Sequence, residues 1–212
     1  MFRHLSAAVM GLCLLTLPVH AQAQAASDAE ARAHADQIIA NSGGAAFFSN
    51  ITDSDMPTVL HIPSGMVCEF PGADERDNIR LFQSSGMDVG CSTWIGRTFV
   101  TFFATRYDEV YSAEEVMGAA IRAIQRNTPG AQSVDEAFDI RTLPGQETPL
   151  LTVFDLELDG RQVRSLILVR HIDDWSFKAR GTGPAGDDSV VELASMAFSI
   201  ALQRADGLGA AD

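Results

Sequence analysis

The sequence predicts an α+β fold: a mainly antiparallel sheet covered by helices, in the order helix, strands, helix, strands, helix. Three observations carry the prediction. Strands and helices are segregated along the chain instead of alternating one for one, which favours hairpin connections over parallel crossovers. Asp159-Gly160 separates LLTVFDLEL from RQVRSLILVRHI, and this dipeptide between two apolar runs is a strong hairpin signal because both turn positions tolerate positive φ. Ser112-Ala113-Glu114-Glu115 opens a run with Val116, Met117, Ala120, Ile121 and Ile124 at helical spacing, a capping box followed by one apolar face.

The first residues read as a leader. MFRHLSAAVMGLCLLTLPVHAQAQA has an early cation, an apolar run of about a dozen residues and A-x-A spacing, the three-part layout of a secretory signal peptide. The expectation is a leader of residues 1–23, with cleavage after Ala21, Ala23 or Ala25. The run falls short of the roughly 20 apolar residues a membrane-spanning helix needs, so no transmembrane segment is expected. Residues 24–206 should then form a single globular domain, with 207–212 a flexible tail. The implied location is the periplasm or the exterior.

Along that domain, Ser27 and Glu30 have capping-box spacing before an Ala-rich helix that Gly43-Gly44 ends. Short strands follow in TVLHI, MVCEF and IRLFQSS, separated by Pro63-Ser64-Gly65 and the acidic loop PGADERDN. The run TWIGRTFVTFFATRY is apolar on both faces, which predicts a central strand covered on two sides, with Trp94, Phe99, Phe102 and Phe103 in the core. After the capped helix and a Gly/Pro loop, three antiparallel strands succeed one another, the second turn falling at Asp173-Asp174. A last helix runs from about Ser189 to Arg204, with Ser189 and Glu192 again spaced as a capping box.

An export signal leaves Cys68 and Cys91 as an even pair in an oxidising compartment, where disulfides form and persist. The expected bridge closes a loop of about 23 residues and contributes about 3 kcal/mol in the chain-entropy treatment. Neither C-x-x-C nor a close His/Cys cluster accompanies it, so no metal site is expected at the cysteines. Asp74, Glu75 and Asp77 form a carboxylate cluster of the type that holds calcium through its oxygens, yet the EF-hand spacing is not met and a solvated acidic loop is the expectation.

Charge narrows the partners. The chain carries a net −13, and losing the leader removes only Arg3 among the charged residues. A surface this acidic repels phosphate backbones, so nucleic acid is not an expected partner. Basic residues are scarce except around the last strands, where Arg161, Arg164, Arg170, Lys178 and Arg180 occur. Either they pair with Asp155, Glu157 and neighbouring carboxylates, which is the expectation, or they form a surface for an anionic ligand or partner.

Gly181-Thr182-Gly183-Pro184-Ala185-Gly186 matches G-x-G-x-x-G. A dinucleotide fingerprint also needs a second parallel strand after the helix, and only 26 residues follow Gly186. Asp187 and Asp188 occupy the mouth of that helix, where they would take the free amides and repel phosphate. The expectation is therefore a strand-to-helix loop capped by an aspartate, with no cofactor. A Ser/His site is the other catalytic pattern, built from Ser64 with His61 or His171, but G-x-S-x-G is absent and Ser64 reads as a turn residue.

The element order, with the long central strand in TWIGRTFVTFFATRY, resembles the Mog1/PsbP/DcrB-like sandwich over about residues 58 to 204. The resemblance implies an antiparallel sheet covered by helices and a mostly non-catalytic role, since the group includes photosystem extrinsic subunits, a nuclear-transport cofactor and bacterial envelope proteins. It carries no site residue to this chain. The functional expectation is an exported, non-catalytic binding or accessory protein of the bacterial envelope, with an envelope protein or small ligand as partner. The alternatives are a small Ser/His hydrolase and an apolar-ligand carrier.

Overall fold

The structure, a computed structural model, describes residues 19–208 except Ala73, with side chains described from Ser27 onward. Most of the expected leader and the last four residues lie outside that range. The elements are α1 (Val19–Ser42), β1 (Phe48–Asn50), β2 (Thr58–His61), β3 (Val67–Glu69), β4 (Asn78–Leu81), β5 (Asp88–Ile95), β6 (Thr98–Thr105), α2 (Ala113–Asn127), β7 (Gln132–Ser133), β8 (Leu150–Leu158), β9 (Arg161–Ile172), β10 (Trp175–Pro184) and α3 (Ser189–Leu202). Every strand pairing is antiparallel. The strands form a three-stranded sheet, β1-β2-β3, and a seven-stranded sheet, β4-β5-β6-β10-β9-β8-β7. The fold is α+β.

Capping chemistry explains one helix and corrects two others. At α2 the Ser112 Oγ accepts from the Glu115 N–H (3.2 Å) while the Ser112 N–H donates to Glu115 Oε2 (2.7 Å), so the sequence reading holds there. In α1, Ser27 lies inside the helix and does not open it, because the helix begins at Val19. The Ala and Gln residues before Ser27 are good helix formers and carry the helix across the expected start. At α3, Ser189 is the first helical residue, and it is Asp187 that accepts from the Ser189 N–H (3.1 Å) and hydroxyl (2.6 Å). Asp188, in the cap position, makes no capping bond and turns to Arg164 instead.

The two faces of the large sheet have different fates. On one, Val89, Cys91, Val100, Phe102, Phe177, Ala179, Leu166 and Leu168 join α1, α3 and the small sheet in the main core. Phe102 stacks on Phe198 of α3 with ring centroids 6.5 Å apart. On the other, Phe154, Leu156, Ile167 and Val169 of β8 and β9 are covered by Val116, Met117 and Ile124 of α2. Strand β9 is consequently buried on both sides, as its SLILV run requires.

The run TWIGRTFVTFFATRY is two strands and not one. Gly96, at φ +59°, turns the chain between β5 and β6. The expectation of two covered faces also fails: in β6, Thr98, Val100, Phe102 and Ala104 are buried while Phe99, Thr101, Phe103 and Thr105 are only half-buried. No helix lies over them, since α2 packs on β8 and β9. Among the described residues no helix is long and apolar enough to cross a membrane.

Candidate functional site

The expected disulfide is present. Cys68 of β3 and Cys91 of β5 are bonded with Cα atoms 6.3 Å apart, so the bridge joins the small sheet to the large one within the core.

His61 and Ser64 do meet. They flank the hairpin between β2 and β3, where the Gly65 N–H donates to the His61 carbonyl (2.9 Å) and the His61 N–H to the Met66 carbonyl (2.8 Å). The turn brings Ser64 Oγ to 2.7 Å from His61 Nδ1, and the same oxygen accepts the Met66 N–H at 3.2 Å. Both side chains are buried, His61 at 0% exposure, beneath the rings of Phe48 and Trp175 at 4.9 and 5.6 Å. Burial lowers the His61 pKa to about 4, opposed by the neighbouring Gly86 backbone. Nε2 makes no hydrogen bond to a carboxylate that would orient the imidazole. The pair closes a turn, and both side chains lie beneath the surface.

His171 does not join it. Its Cα partner is Ser176, which places it on the same face as Ile167 and Val169, opposite to the face His61 packs against. It lines a cavity of about 240 Å³ with Tyr107, Tyr111 and Trp175. Its pKa is lowered by burial and pulled back by Glu114.

The glycine motif serves packing. Gly181 and Gly183 lie within β10, which runs antiparallel to both neighbours. A Cβ on Gly183 would sit 2.6 Å from Val190 Cγ2, and one on Gly181 would sit 3.0 Å from Ala194 Cβ. The two glycines let α3 lie close on the strand, as glycines do where elements approach tightly, and of the motif's glycines only Gly186 takes a positive φ (+69°). In the acidic loop, Asp74 is held by Arg76 (2.6 Å). Asp77 accepts from Thr93 Oγ1 (2.8 Å) and the Asp74 N–H (2.8 Å), with His34 at 3.6 Å.

The basic residues of the last strands divide between the two faces. Arg164 pairs with Asp155 (3.1 Å) and Asp188, and Arg170 with Asp206 (2.6 Å), all on the α3 face. Lys178 and Arg180 stand opposite Val169 and Ile167 and so point to the other face. There, between the uncovered part of the sheet and the β8–β9 turn, lies an open groove of about 1130 Å³. Trp94, Phe99 and Phe103 form its apolar floor, and Arg76, Arg97, Arg161 and Arg180 bring four guanidinium groups against one carboxylate, Asp159. Arg76 is engaged with Asp74 and lies 4.6 Å over the Trp94 ring. Among the described residues no salt bridge is made by Arg97, Arg161 or Arg180.

Beside the groove the aromatic surface continues. Phe103 stacks on Phe82 at 5.9 Å, and Lys178, the chain's one lysine, holds its Nζ 4.5 Å above the Phe103 ring. Burial lowers the Lys178 pKa, with Asp88 opposing and Arg180 reinforcing the shift; burial also lowers that of Arg180. Strand alternation in β6 and β10 was the sequence signal for this face, but it does not say which side a helix covers. A separate apolar cavity of about 180 Å³ lies between α3 and the sheets, lined by Val67, Phe102, Met196 and Ile200. That is below the roughly 300–1,000 Å³ of small-molecule pockets.

No protein-family model matches the chain, and neither does any curated protein sequence.

Proposed function

We propose that this chain is an exported, non-catalytic binding or accessory protein of the bacterial envelope that works through the uncovered face of its seven-stranded sheet. One observation carries the reading: aromatic side chains and arginines without ion-pair partners converge on an open groove in an otherwise acidic chain. Arg180 is half-buried without an ion-pair partner among the described residues, which costs free energy in the unliganded protein, and a bound group of opposite charge offsets that cost; Arg97 and Arg161 are exposed and add positive field at the rim. Export rests on the leader pattern and is supported by the Cys68–Cys91 bridge. The Mog1/PsbP/DcrB-like relationship belongs to the same proposal.

Two measurements test it. The protein recovered from a periplasmic fraction should begin after Ala21, Ala23 or Ala25. Small-molecule extract of the envelope should shift amide resonances of β5, β6 and β10. Shifts confined to the Ser64 hairpin, or none, would contradict the groove. The short His61–Ser64 contact favours a hydrolase as second reading; ester turnover lost in Ser64→Ala would establish it in place of the binding role.

A further inference from the structure

We infer that the groove selects a small anion with a flat apolar body, the chemistry of an aromatic carboxylate; this rests on the binding role proposed above and names its ligand. The polar requirement comes from Arg97, Arg161 and Arg180. Each is free of salt bridges among the described residues, and Arg180 is half-buried in strand β10 between Lys178 and Thr182. A guanidinium fork matches a carboxylate in geometry and charge, and such bonds are stronger than neutral ones. The floor supplies the other half. Trp94 and Phe99, with ring centroids 5.4 Å apart, offer aromatic surface against which a planar ring packs, while the Phe103 ring beside them is already engaged by Phe82 and Lys178 and Arg76 lies over one part of Trp94.

Size follows from the charge distribution. At physiological salt the screening length is about 8 Å, so a small anion seated among the arginines feels mainly them. A polyanion or an acidic protein would extend past that distance and meet a chain whose net charge is −13. Neutral aromatics would leave the guanidinium groups unpaired, and cations would be repelled by them.

Calorimetric titration of the purified protein with 2-naphthoate, 2-naphthamide and 2-naphthylmethylammonium, at about 0.15 M salt, tests this. Naphthoate should bind at least about tenfold more tightly than the amide, the scale of a charge-assisted hydrogen bond, and the ammonium compound most weakly. Arg180→Gln should erase the preference for naphthoate while leaving the amide unchanged. Arg161→Gln, at an exposed position, should reduce it without altering the unfolding midpoint, which guards against misfolding of the Arg180 variant. Trp94→Ala should weaken naphthoate and amide alike. Equal affinities for naphthoate and amide, or concentration-dependent dimerisation through this face, would overturn the inference. If neither naphthyl compound binds while envelope extract still shifts the groove amides, the ligand class is wrong and the binding role stands. If both experiments are negative, both readings fall.

Discussion

Replacing Gly183 by Ala puts the packing explanation of the glycine motif to a test with a change of sign. Gly183 takes no positive φ, so alanine meets no backbone penalty, and in a strand it should gain about 0.5–1 kcal/mol over glycine. The obstacle is α3. The new Cβ would lie 2.6 Å from Val190 Cγ2, 3.2 Å from Thr98 Oγ1 and 3.4 Å from Val190 Cγ1, where carbon atoms prefer about 3.5–4.0 Å. Relief requires a shift of roughly 1 Å in a fully buried contact, and overpacking of this kind costs about 1–3 kcal/mol. Net destabilisation should be about 1–2 kcal/mol in urea unfolding followed by circular dichroism, read by linear extrapolation. With Val190→Ala both Val190 methyl contacts disappear, so adding Gly183→Ala to that variant should be neutral or stabilising. Equal costs in the two backgrounds, or a stabilised single variant, would refute the reasoning.

Three other perturbations have defined outcomes. Replacing Cys68 and Cys91 by Ala should lower stability by about 3 kcal/mol, from loop entropy at a separation of 23 residues; a loss below about 1 kcal/mol in urea titration would show that the bridge constrains little. Burial holds the folded His61 pKa at about 4 against 6.5, so its neutral form is fully compatible with the fold above pH 6.5. Stability from this residue should decline as pH falls from 6.5 towards 4, by about 3 kcal/mol. A His61→Gln variant should lack that increment of the pH dependence, and an unchanged profile would count against it. Arg170 and Asp206 form a two-bond pair (2.6 and 2.7 Å) that Gln146 also joins at 2.8 Å. Asp206→Ala should cost about 3–5 kcal/mol, and Arg170→Met with Asp206→Leu should cost less than Asp206→Ala, because no buried charge is then left unpaired; the unfolding midpoints of the two variants decide it.

Local rules were legible wherever a local interaction settled the outcome. The Ser112 capping box, the Asp159-Gly160 turn and the β8–β9–β10 hairpin succession depend on residues a few positions apart, and the chain carries them in its own spacing, whereas the short edge strand β7 was not foreseen. Pairing of Cys68 with Cys91 followed from there being two cysteines after the expected leader. Ser27 and Ser189 show the limit of the same rule, because capping-box spacing does not reveal whether the preceding residues continue the helix or whether a neighbouring aspartate takes the amide first. At Gly96 a single glycine divided what hydrophobicity presented as one strand.

Alternation along β6 and β10 was written in the sequence, and so was the fold class. Which of the alternating faces lies under a helix was not: it depends on α2 settling over β8 and β9 and stopping there. That docking turns Phe99 and Phe103 from expected core into a half-open floor, with Arg180 beside it on the face opposite to the carboxylates that Arg164 and Arg170 find. Periodicity specifies two sides of a strand, whereas coverage is a property of elements distant in the chain, so only the assembled tertiary structure decides it.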